Sequence, residues 1–106
     1  MEHPPLLMEE IVSIGEKRAR GYAIPLGPVN LVAIVTKYGV LGCGAIDTAA
    51  LERFGVPAVR VSGREGRLIS TTRDLLEGVV SGVNKDAAAK GIRTGMSGMD
   101  AAMHLL

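Results

Sequence analysis

The stretch Leu31-Val32-Ala33-Ile34-Val35 has no polar side chain at either parity. It lies inside a β-branched run, residues 29–36, of the kind that favours a buried strand. Successive side chains of a strand point to opposite faces of its sheet, so a half-exposed strand alternates apolar and polar residues. This one does not: both of its faces are apolar. Residues 6–14 share the property. Leu6, Met8, Val12 and Ile14 occupy even positions, and Leu7 and Ile11 occupy odd ones. Strands of this kind need cover on both sides.

The flanking segments supply partners for a sheet. Gly15-Glu16-Lys17 offers a turn into a returning strand over 19–26. Pro25 has no N–H for a ladder, so it marks an edge or a break. Lys37-Tyr38-Gly39 reads as a tight hairpin loop, with Gly39 expected at positive φ, leading into a fourth strand over 40–46. Fifth and sixth strands are expected over 57–62 and 79–83. Helix signals appear only from residue 47 onward. Asp47 caps 48–54, Gly55 stops it, and Ala50, Leu51 and Phe54 share one face. Thr71 or Thr72 caps a turn through 73–76. Asn84 caps 85–90, which ends at Gly91. Ser97-Gly98-Met99-Asp100 reads as a capping box ahead of a helix whose Ala102, Met103 and Leu106 fall together. Residues 63–67, rich in glycine and charge, read as a mobile loop. The expected class is α+β: about six strands, antiparallel in the N-terminal part, with three to four short helices in the C-terminal half. One domain spans 1–106, β-rich over 1–46 and α/β over 47–106.

Composition narrows the function classes. The chain of 106 residues is 47% hydrophobic and only 3% aromatic, so its core is aliphatic and far from the composition of a disordered chain. A net charge of +1 excludes a generic polyanion binder, and nucleic acid is not an expected partner. One cysteine excludes an intrachain disulfide framework and a multi-cysteine zinc site. No metal-ligand or cofactor motif is present. Met1-Glu2-His3-Pro4-Pro5 is not a signal peptide, and the five-residue run 31–35 is far short of the roughly 20 residues a membrane helix needs. No membrane partner is expected, and by elimination the expected location is cytoplasmic.

The short helices can cover one face of such a sheet. Either a second copy of the chain covers the other face, or the sheet curls into a small barrel and covers itself. Burying about 600 Å² per subunit at roughly 25 cal/mol/Å² contributes on the order of 15 kcal/mol before association costs, enough to drive self-association. Glu9 and Glu10 facing Arg18 and Arg20 across neighbouring strands fits both arrangements.

Candidate chemistry is sparse. Cys43, within Gly42-Cys43-Gly44, has glycine neighbours that allow close approach of a ligand, and the Asp47 helix start follows four residues later. A nucleophilic thiol needs a base, and His3 and His104 form no motif with it. A packed structural thiol is the competing reading. Gly95-Met96-Ser97-Gly98 precedes a helix start whose N–H groups could hold an anion, although a turn and cap explain the same residues. Arg60, Arg64, Arg67 and Arg73 cluster around the glycine loop, which a solvated loop explains. Asp74 and Glu77 read as a solvent-facing pair.

Three stretches together resemble the YunC-like family, DUF1805, a domain of unknown function. The first is Lys17-Arg18-Ala19-Arg20-Gly21-Tyr22 through Pro25-Leu26 to Asn30-Leu31. The second is Gly39-Val40-Leu41-Gly42-Cys43-Gly44-Ala45-Ile46-Asp47. The third joins Arg73-Asp74-Leu75-Leu76 to residues 90–101 (KGIRTGMSGMDA). Ala45 departs from the aromatic usual at its place in the family. The resemblance implies an N-terminal β region that mediates tetramerisation and an α/β remainder, with no activity attached. Three expectations result: a homo-oligomer, a tetramer, built through the N-terminal strands; a module that holds a small anionic ligand at a subunit interface through Gly42, Gly44, Asp47, Gly95, Ser97 and Gly98; and a thiol-dependent enzyme using Cys43.

Overall fold

A computed structural model describes residues 8–106 of the chain. His3, Leu6 and Leu7 lie outside the described residues. Six strands form one open mixed sheet in chain order: β1 (Met8–Ile14), β2 (Lys17–Leu26), β3 (Val29–Val35), β4 (Val40–Gly42), β5 (Ala58–Ser62) and β6 (Val79–Val83). The first four form an antiparallel meander, β4 and β5 run parallel, and β6 returns antiparallel to β5. Four short helices follow the meander: α1 (Thr48–Glu52), α2 (Thr72–Glu77), α3 (Lys85–Ala88) and α4 (Gly98–Met103). The class is α+β.

Register explains the two-faced strands. Ala23 pairs with Val32, Gly21 with Ile34, Ile34 with Leu41, and Leu41 with Val59. These residues therefore share one face with Val12 and Ile14, which pair with Ala19 and Lys17. That inner face packs on α2 and α4, where Leu75, Ala101, Ala102 and Leu105 complete an aliphatic core. Ile14, Val32, Ile34, Leu41, Val59 and Val61 are fully buried there. The sheet stays open, with β1 and β6 at opposite ends, so the chain does not close into a barrel over its other face.

Local expectations hold where caps and turns decide them. Asp47, Thr71, Asn84 and Ser97 each accept a hydrogen bond from a backbone N–H of the first turn. The reciprocal capping box forms at Thr71 and Asp74; at Ser97 only the serine side of the box is made. Gly55 and Gly91 take positive φ after α1 and α3.

Four expectations fail for tertiary reasons. Gly39 does not adopt positive φ. Its role is space, because a Cβ there would lie 2.6 Å from the Pro57 carbonyl oxygen and 2.8 Å from Leu105. The fourth strand ends at Gly42 rather than Ile46, because Ile46 N–H bonds back to Cys43 O and the Ile46 side chain folds over Gly42. Phe54 is 80% exposed, since α1 stops at Glu52 and buries none of its residues. In α4 the buried stripe is Ala101, Ala102 and Leu105, while Met103 points out.

Truncating Leu41, a central contact of the core, should therefore cost about 2–5 kcal/mol, whereas Phe54→Ala should stay within about 0.5 kcal/mol. Urea unfolding of both variants at one protein concentration checks the contrast.

Candidate functional site

The outer face of β1–β3 is the largest feature left open by the fold. Ile24 pairs with Leu31, Leu26 with Val29, Tyr22 with Ala33, and Arg20 with both Ile11 and Val35. By register these side chains alternate with the core-facing ones, and Ala33 alone among the aliphatic ones is buried. Ile11 is 63% exposed and Leu26 48%, and Ile24, Val29 and Val35 are exposed as well. Polar groups sit toward the β1 side, where Arg20 bonds Glu9 at 3.3 Å. The expected partnership of Glu10 with the arginines does not form. Adjacent residues of a strand face opposite ways, so Glu9 meets Arg20 outside while Glu10 turns inward.

On the inner face Glu10 accepts a hydrogen bond from the Thr72 hydroxyl at the start of α2. Gly21 makes this contact possible: a Cβ there would lie 2.7 Å from both Thr72 Cγ2 and Val12 Cγ2. Nearby, Asn30 Nδ2 donates to Ser70 O at 3.0 Å. Ser70 and Thr71 N–H groups both donate to the Asp74 carboxylate. Glu10, Asn30, Ser70, Thr71 and Thr72 line a small cavity of about 230 Å³ together with Met8, Tyr22 and Ala23. No local pattern points to it, because its members are up to 62 residues apart.

Asn30 also lines an open, mainly apolar cleft of about 470 Å³ on the other side of the 66–70 segment, and Cys43 and Gly44 lie in its wall. Cys43 is 7% exposed, and its Sγ accepts the Val32 N–H at 3.4 Å. The lining holds Asn30, Ser62 and Arg67 as polar groups and supplies no carboxylate or histidine to take a proton from the thiol. His104 lies on α4, where its Nδ1 is 2.8 Å from Asp100 O.

The remaining predicted residues are held in local structure. Gly42 is capped by Ile46, and Asp47 accepts the Ala50 N–H at 3.0 Å. Gly95 N–H donates to Val80 O and Gly98 N–H to Gly78 O, so these groups pair with the β6 segment. Gly98 is also a close helix contact, since a Cβ there would lie 2.0 Å from Leu75 O. Ser97 Oγ is taken by Asp100 N–H. None of Gly95, Ser97 or Gly98 lines the Cys43 cleft. Of the loop arginines, Arg64 donates to Glu77 O, Arg67 lies 4.0 Å from Glu65, and Arg73 lies 3.5 Å from Glu77. No group of three or more metal-ligating side chains occurs among the described residues, and no helix there is long and apolar enough to cross a membrane.

A family model described as a domain of unknown function, DUF1805, matches residues 42–105, from the end of β4 through α4. The chain is 30% identical over 87 residues to the uncharacterized protein YunC of Bacillus subtilis (strain 168), covering 78% of this chain and 81% of that protein. It also matches the crystal structure of a protein of unknown function, TA1206, from Thermoplasma acidophilum. There the TM-score is 0.84 at 25% identity, over 95% of this chain and 94% of that one.

Two consequences of the inner polar group are measurable. The Ser70 N–H lowers the Asp74 pKa below its ordinary 3.8; partial burial opposes this, and Thr71 adds to the lowering through side chain and backbone. A depressed carboxylate stabilises the fold fully above its ordinary value and loses that contribution as pH falls through the lowered one. Asp74→Ala should cost about 1 kcal/mol at neutral pH, with the gap to wild type narrowing as the pH falls below the ordinary 3.8. Urea unfolding of the two proteins across pH reads this directly. Gly21→Ala should cost about 1–3 kcal/mol by the same assay through overpacking against Thr72 and Val12.

Proposed function

We propose that this chain, which belongs to the DUF1805 family of domains of unknown function, works as a self-associating domain whose copies pair through the outer face of β1–β3. The observation that carries this reading is the exposure of Ile11, Ile24, Leu26, Val29 and Val35 together on one face. Exposed aliphatic side chains gathered on one sheet face, here around Arg20, often mark an interaction surface. These side chains present on the order of 400 Å² of apolar surface, close to the apolar share of a standard interface of about 800 Å² per partner.

A second copy is the occupant that fits best. A flat aliphatic face offers shape complementarity to another like it, stacked about 10 Å away as in a sandwich. A twofold axis brings the same patch onto itself, so the Glu9 and Arg20 pair at the β1 side of one copy can meet opposite charges on the other. Two such pairs joined by a second contact give the tetramer. The helices play no part in this face, and its margin adjoins the Cys43 cleft at Val29 and the cavity at Glu10 through Tyr22.

Light scattering after size exclusion tests the reading. Wild-type protein at micromolar concentration should elute as a multiple of the 11.1 kDa chain. Leu31→Lys and Ile24→Lys should each shift it toward monomer, while Phe54→Lys, exposed but away from the face, should leave the mass unchanged. A monomeric wild type, or equal masses for all variants, overturns the proposal.

A further inference from the structure

The chain carries 12 basic and 11 acidic residues, and two adjoining clefts gather several of the cations. A cleft of about 450 Å³ where β1, β2 and β3 meet is lined by Ile11, Arg18, Ala19, Arg20, Val35, Thr36 and Lys37. A second cleft of about 430 Å³ shares Val35, Thr36 and Lys37 with it and adds Tyr38 and Lys90. Four cations thus line two adjoining clefts, and neither lining contains an aspartate or glutamate. Arg20 alone among them has an acidic partner within 4.0 Å among the described residues, Glu9. The pocket beside Arg64 and Arg67 differs, because Asp74 and Glu77 share its lining.

The turn that carries Lys37 is fixed by hydrogen bonds. The Thr36 hydroxyl accepts the Tyr38 and Gly39 N–H groups and donates to Leu105 O at 2.7 Å, which fixes the turn bearing Lys37 and Tyr38. The Lys37 and Lys90 ammonium groups lie 5.4 and 5.0 Å from the centroid of the Tyr38 ring. One ring satisfies two ammonium ions poorly, and like charges gathered around one hollow repel each other.

We infer that these adjoining clefts form a binding site for a small phosphate-bearing molecule, with Arg18 and Lys37 meeting the phosphate oxygens. A guanidinium offers a planar fork of donors to two oxygens, and an ammonium supplies a point charge to a third. Val35, Val40 and Pro57 form an apolar wall suited to a compact organic body, and the combined volume suits a small molecule. Every residue named belongs to one chain, and Ile11, Arg20 and Val35 also lie on the outer face of β1–β3, so the first cleft borders the surface proposed to pair.

Titration calorimetry at fixed ionic strength, with inorganic phosphate, pyrophosphate, phenyl phosphate and citrate as probes, tests the site. Saturable binding of the phosphates at one per chain is expected, with citrate weaker. The double variant Arg18→Ala, Lys37→Ala should weaken pyrophosphate by about tenfold or more, and Arg64→Ala with Arg67→Ala should not. Light scattering on the same samples reads the oligomeric state separately, so loss of binding and loss of assembly are told apart. Should the double variant fail to fold, amide shift mapping on wild type decides: pyrophosphate should move Arg18, Lys37 and Tyr38. Absent or unsaturable binding, equal weakening in both double variants, or amide shifts confined to other residues overturns the inference.

Discussion

Apolar surface on both sides of a thin sheet, with enough helix to hide only one, governs how this molecule is arranged. The inner face of β1–β5 packs on α2 and α4 and forms an aliphatic core in which Ile14, Ile34 and Leu41 are fully buried. Among the described residues the outer face of β1–β3 has no such cover. Because side chains alternate along a strand, burying Val32 and Ile34 obliges Leu31 and Val35 to face the other way. The same run of residues thus builds the core and leaves the exposed patch, and slipping the register by one would only exchange their roles.

The polar residues of the inner face tie the two halves of the chain together. Glu10 on β1 reaches Thr72 on α2, and Asn30 on β3 reaches Ser70 in the segment before it. Asp74 then collects the Ser70 and Thr71 N–H groups. Thr72 is buried, and a buried polar group is costly unless partnered, so its bond to Glu10 helps seat α2 on the meander.

Much of the fold was legible because the deciding forces are local. Caps depend on one side chain and the next turn, and Asp47, Thr71, Asn84 and Ser97 all behave as their sequence neighbours suggest. Strand limits depend on what lies across from them. Nothing near Ile46 in sequence says that it will fold over Gly42, and nothing near Gly39 says that Pro57 and Leu105 will crowd it. Phe54 reads as a buried residue by spacing, yet a helix this short presents no face long enough to bury it. The site residues show the same divide. Gly95 and Gly98 look open to a ligand in the sequence, but their N–H groups pair with residues of the β6 segment.

By itself the sequence determined that the opening strands would be apolar on both sides and that short capped helices would follow them, because side-chain alternation and first-turn hydrogen bonds act over a few residues. Tertiary structure alone decided which parity faces the helices, that Glu9 and Glu10 part company across the sheet, and that Arg18, Lys37 and Lys90 converge at one end. Those outcomes depend on strand register and on contacts between segments as much as 69 residues apart, from Thr36 to Leu105, and no local pattern encodes them.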